Sequence, residues 1–151
     1  KRRAYDLNID IDRAKSIIMN SDYCISSSSL VNSVAFDDVS CRIVSIGTLY
    51  PDHVVFLGPG PMNLMNIGEF EHFIEVGNKN YNNDKKDVII VKNLGVFILT
   101  NLSESKKAML DCLANVLLRI NPHDKLRYLN TYEENELVNW DAEKYRKSIE
   151  G

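Results

Sequence analysis

This chain has little of what catalysis usually gathers in one place. Its three histidines, His53, His72 and His123, are far apart and form neither an HxH nor an HExxH pair, so the short-range ligand spacing of many zinc sites is absent. The three cysteines, Cys24, Cys41 and Cys112, include no CxxC. An odd set with that spacing reads as free thiols in a reducing cytoplasm. No GxSxG, GxGxxG or Walker pattern occurs, which leaves nucleophilic catalysis and nucleotide-type phosphate loops without support. No apolar run approaches ~20 residues, so no membrane-spanning helix is expected, and no signal peptide is evident. Basic charge is also in short supply: the net charge is −3, against the basic face expected of a nucleic-acid binder. The cluster Lys1-Arg2-Arg3 reads as a solvated tail or a connecting segment.

What is present suits one cytoplasmic globular domain spanning 1–151. Hydrophobic residues make up 44% and charged residues 26% of 151 positions, enough apolar material for one continuous core. The first residue is Lys rather than Met, and the expectation is that the chain is the C-terminal portion of a larger protein.

Asp10 to Asn20 predicts a helix, capped by Asp10 or Asp12, with Ala14, Ile17 and Ile18 on its apolar face and Met19 as a further candidate for it. Ser26 to Ser29 is a polar run that can lead into a helix at Leu30, Val31 and Val34. Asp37 to Gly47 reads as a helix capped by Asp38 and ended by Gly47 in the left-handed conformation, with a strand as the alternative. His53 to Leu57, bounded by Pro51 and by Gly58-Pro59-Gly60-Pro61, reads as a buried strand. Ile67 to Val76 reads as a helix with Phe70, Phe73 and Ile74 inward, and Gly77 to Lys86 as an exposed loop. Asp87–Val91 and Gly95–Thr100 form a hairpin, with Asn93 or Gly95 free to take positive φ in the turn. Asn101 or Ser103 caps the longest helix, to about Ile120, whose wide apolar stripe suggests packing on more than one side. Two short helices, Thr131–Asn139 and Asp141–Ile149, close the chain. The expected fold is α/β: a layered α/β/α domain with a small mixed or antiparallel sheet of three strands, flanked by helices.

Candidate chemistry centres on His53 beside Asp52. A carboxylate next to an imidazole can orient it and raise its basicity, although neighbours in a strand point to opposite sides. The competing reading is a histidine that ties the turn to the strand by hydrogen bonds. The Gly58-Pro59-Gly60-Pro61 segment could cradle a phosphate on backbone amides. Two prolines remove two amides, so it reads as a rigid turn. His72 reads as exposed, and His123 as a helix-end charge. Cys41 and Cys112 lie in apolar periodic segments and read as core. Tyr128, Tyr132, Trp140 and Tyr145 read as core or interface packing.

Three stretches together carry a resemblance. Gly47-Thr48-Leu49-Tyr50-Pro51-Asp52-His53-Val54-Val55-Phe56-Leu57-Gly58-Pro59, Val88-Ile89-Ile90-Val91-Lys92-Asn93-Leu94-Gly95-Val96-Phe97 and Asn139-Trp140-Asp141-Ala142-Glu143-Lys144-Tyr145-Arg146 resemble segments of the long, rhamnulose-phosphate aldolase-like members of the class II aldolase/adducin family. Their order and spacing fit over roughly residues 39 to 149. The resemblance implies a lyase that cleaves or forms a carbon–carbon bond in sugar phosphates or related small carbohydrates with zinc. The metal-binding histidines would lie in an N-terminal aldolase domain, which would be this chain's partner, and a homo-oligomer is also implied. No residue here matches the family's HxH pair, so no metal ligand or cofactor site is assigned to this chain. Only Pro51-Asp52-His53 matches a family signature, which makes His53 and Asp52 the candidate catalytic residues. Adducin-like members keep the fold without catalysis, so a non-catalytic interaction or oligomerisation module is the alternative.

Overall fold

The computed structural model describes residues 7–79 and 85–150. Helix α1 spans Ile11–Ile18 and is capped by Asp10, whose carboxylate accepts the Arg13 N–H at 3.0 Å. Strand β1 (Tyr23–Ile25) follows, then α2 (Ser29–Ser33), a 3₁₀ turn (Val34–Phe36) and α3 (Asp38–Val44). Next come α4 (Pro51–Leu57), β2 (Asn63–Met65) and α5 (Ile67–Lys79). The hairpin β3 (Val88–Val91) and β4 (Gly95–Leu99), the long α6 (Glu104–Arg119) and α7 (Thr131–Glu150) complete the order.

The hairpin is the centre of the sheet. β1 lies antiparallel on β4 and β2 lies parallel on β3, giving the order β1-β4-β3-β2. Both turn positions expected to leave the usual backbone region do so, with φ 64° at Asn93 and 153° at Gly95. The turn is also held from outside: the Lys92 N–H donates to Met65 O and the Asn93 N–H to Ala35 O, both at 2.9 Å.

The side chains of the central pair alternate between two apolar layers, as the period of a strand requires. Val88, Ile90, Val96 and Ile98 meet Val31, Ile43 and the inner face of α6. Ile89, Val91 and Phe97 meet Ala14 of α1 and Phe70 and Ile74 of α5. The fold is therefore an α/β domain with a small mixed sheet flanked by helices. Asn32 links the layers to the sheet: its amide donates to Ser26 O at 2.8 Å and its oxygen accepts the Val96 N–H at 2.9 Å.

Several expectations are corrected. His53–Leu57 is helical, because Pro51 with its fixed φ occupies the first turn of α4 and the preceding Tyr50 is extended. The four strands include β1 and β2, each only three residues long and too short to show alternation. Asp37 rather than Asp38 caps α3, accepting the Ser40 N–H at 3.1 Å. That helix ends at Ser45 in a right-handed conformation, not at a left-handed Gly47. The two closing helices are one, running through Trp140 and Asp141. α5 continues through Gly77 to Lys79, and the rest of the expected polar loop, up to residue 84, falls outside the described residues, as does Lys1-Arg2-Arg3. Cys41 is core, and burial pushes its thiol up to about 11, but Cys112 is exposed. Ser103 is the cap of α6. No helix among the described residues is long and apolar enough to cross a membrane.

Candidate functional site

The polar groups of the Pro51-Asp52-His53 region are set by where α4 starts and stops. Pro51 begins the helix, and α4 packs against α6 and α7. Successive helix positions differ by about 100°, and this rotation separates the two candidate residues. His53 turns inward and is 1% exposed, while Asp52 faces solvent. The structure does not bring them together.

Gly58 ends α4 at φ 92°, and its N–H donates to Val54 O at 2.9 Å. Gly60 also has positive φ, 78°, a conformation that glycine adopts without a Cβ clash. In this conformation its N–H donates to Glu134 Oε2 of α7 at 2.6 Å. The Gly-Pro loop is thus a rigid turn that uses one of its remaining amides on a carboxylate from its own chain.

The chain around α7 is built to deliver that carboxylate. Asn130 and Glu133 form a reciprocal capping pair: the Glu133 N–H donates to Asn130 Oδ1 at 2.8 Å and the Asn130 N–H to Glu133 Oε1 at 3.1 Å. Arg127 donates to both Glu133 oxygens at 2.9 Å. These bonds, the Arg127 guanidinium foremost, hold the Glu133 carboxyl below the usual range. The Leu129 N–H donates to Thr48 O at 2.9 Å, which lays the approach to α7 along residue 48. Glu134, one position further, points inward and is buried. Its Oε2 accepts the Thr48 hydroxyl at 2.8 Å as well as the Gly60 amide.

His53 completes the corner. Its Nδ1 accepts the Leu49 N–H at a long 3.4 Å. The neutral ring therefore carries its hydrogen on Nε2. That Nε2 is buried and has no hydrogen-bond partner. Burial pushes the imidazole down from 6.5 to about 4, and the Glu134 carboxylate opposes the shift without overcoming it. The ring lies 5.9 Å from that of Tyr50, tilted by 58°. Burial raises the Tyr50 phenol, with the charges of Cys112 and Asp52 adding to the effect.

The corner thus offers three neutral donors (an amide, a hydroxyl and an imidazole N–H) and one buried carboxylate. Thr48 and Glu134 were not singled out from the sequence, and Gly60 only as part of the Gly-Pro segment read as a rigid turn. The Gly-Pro loop and the Asn130-Thr131-Tyr132-Glu133 capping pattern mark the two sides. Nothing local marks Glu134, whose partners lie 74 and 86 residues away. His72 and His123 are both exposed. Among the described residues, no group of three or more His, Cys, Asp or Glu side chains could hold a metal ion. Compared with known proteins, the chain matches no family model, no curated protein and no solved structure.

Proposed function

We propose that this chain is the C-terminal domain of a cytoplasmic, zinc-dependent class II aldolase-like protein that acts on sugar phosphates or related small carbohydrates. In this reading it carries no complete catalytic set. It packs on an N-terminal aldolase domain and supports a homo-oligomer. The supporting observation is the corner itself: the polar side chains that converge, Thr48, His53 and Glu134, are buried. Two of them bond to each other, which fixes the start of α7 against the segment before α4. In this reading the metal is held by the other domain; among the described residues no group of three or more His, Cys, Asp or Glu side chains could hold one. His53 then acts as a positioning residue that seats α4, and Asp52 is the member of the pair that reaches solvent.

The test uses the full-length protein and its His53→Ala and His53→Gln variants, with zinc content and carbon–carbon cleavage measured together. A positioning role predicts retained zinc, impaired cleavage in His53→Ala and partial recovery in His53→Gln. Unchanged zinc and unchanged cleavage in both variants would remove any role for His53. The second reading, a non-catalytic interaction module of the adducin type, is favoured by the exposed apolar side chains of Tyr132, Val138 and Trp140 on α7. Light scattering distinguishes it: a monomer that binds no apolar dye would count against it.

A further inference from the structure

We propose that Thr48, His53 and Gly60 form a carboxylate-binding cradle that Glu134 fills from within the same chain, and that a free small carboxylate takes this place when Glu134 is withdrawn. The cradle stands apart from the aldolase-like reading, because it needs only the donors and their present occupant. Two donors already converge on one oxygen, the Thr48 hydroxyl at 2.8 Å and the Gly60 N–H at 2.6 Å. A third, the His53 Nε2–H, is buried in the same corner with no partner, on a ring 1% exposed. The ring lies close enough to the Glu134 carboxylate for the charge to act on it. A buried polar group without a partner is unfavourable. The tethered Glu134 carboxylate bonds Thr48 and Gly60 but leaves this donor unmet, and a carboxylate free of α7 can reach all three.

The chemistry selects the ligand class. Among the described residues no Lys or Arg pairs with Glu134, so nothing cationic balances a doubly charged group there. A carboxylate brings one charge into this buried corner, whereas a phosphate dianion would bring two with no cation to offset them, so the site favours the carboxylate. The natural occupant is tethered through the fixed first turn of α7, which holds it at high local concentration. Lifting α7 would therefore open the cradle to a carboxylate from solution.

The experiment compares the intact chain with Glu134→Ala and Glu134→Gln by thermal unfolding. Sodium acetate, sodium chloride and inorganic phosphate are titrated at matched ionic strength, and the ring resonances of His53 are followed by NMR. In Glu134→Ala, acetate should raise Tm above the chloride control, shift the His53 ring signals, and bind at least ~10-fold more tightly than in the parent chain, where the tethered carboxylate competes. Glu134→Gln keeps the space filled and should respond like the parent. If Glu134→Ala does not fold in plain buffer, recovery of its circular dichroism by acetate but not chloride supports the cradle. No recovery overturns it. Equal responses to acetate and chloride, a Gln variant that behaves like the Ala variant, or phosphate matching acetate would each overturn it too.

Discussion

On the α1/α5 side of the sheet, side chains are buried by shape; in the corner between α4 and α7 they are buried by mutual hydrogen bonding. Phe70 and Phe97 meet with ring centroids 4.5 Å apart, both fully buried, and Ile74 and Ile89 close around them. In the corner, Thr48, His53 and Glu134 are just as inaccessible but polar. The apolar side depends on volume and is indifferent to protons. The polar corner tolerates burial only while Thr48 and Gly60 keep their bonds to Glu134 and the His53 ring stays neutral. The difference separates what stabilises the domain from what could respond to a ligand or to solution conditions.

The sharpest way to break the comparison is to attack each region with its own lever. Phe97→Ala removes a fully buried ring from the centre of the sheet and should destabilise the domain by roughly 3–5 kcal/mol, read by urea denaturation. The loss should be the same at pH 7 and pH 5, since no titrating group is removed. A loss under ~1 kcal/mol would mean that this side is not packed as described.

The corner should respond to pH instead. The folded ring of His53 titrates at about 4, below its ordinary 6.5. Between these values the unfolded chain takes up a proton that the folded chain refuses. Stability is therefore fully present above ~6.5 and declines as pH falls towards ~4, by an order-of-magnitude 3 kcal/mol in all. His53→Phe should flatten that part of the profile. A slope unchanged in the variant would place the titration elsewhere.

The hairpin turn gives a smaller effect. Gly95 sits at φ 153°, and an added Cβ would lie 3.0 Å from Ile25 Cδ1 and 3.2 Å from Asn32 Oδ1. Gly95→Ala should cost about 1–3 kcal/mol through backbone strain and through displacement of Asn32 from the Val96 amide. Loss of protection of the Val96 amide in hydrogen exchange would locate the damage.

How much of this was legible in the sequence follows from how local each cause is. The hairpin could be read because its turn residues and flanking β-branched runs are contiguous. α1 and α6 could be read from their apolar period and a capping residue, and α5 from its apolar residues alone. The segment at His53 was misread because Val54, Val55 and Phe56 favour strands intrinsically, while the helical outcome rests on Pro51 and on packing against α6 and α7. The buried site was half legible. His53 stood out by its neighbours, but its true electrostatic partner comes from α7 rather than from the adjacent Asp52. Sequence adjacency indicated the wrong carboxylate because a helix turns neighbouring side chains apart.

The smallest predicted effect is the most direct comparison of the two regions. α5 and α7 begin alike, with Asn66 and Glu69 forming the same reciprocal pair as Asn130 and Glu133. Asn66→Ala and Asn130→Ala each remove a side-chain acceptor from a helix start, and each should cost about 1 kcal/mol. The consequences should still differ, because α5 is then held by the apolar cluster around Phe70 whereas α7 presents Glu134 to Thr48 and Gly60. Loosening the start of α7 therefore lowers the local concentration of the Glu134 carboxylate in the corner; loosening α5 leaves it unchanged. Hydrogen exchange of the Gly60 amide reads this difference. It should quicken in Asn130→Ala and stay at the parent rate in Asn66→Ala. Equal protection in both variants would show that the corner holds α7 without help from its cap.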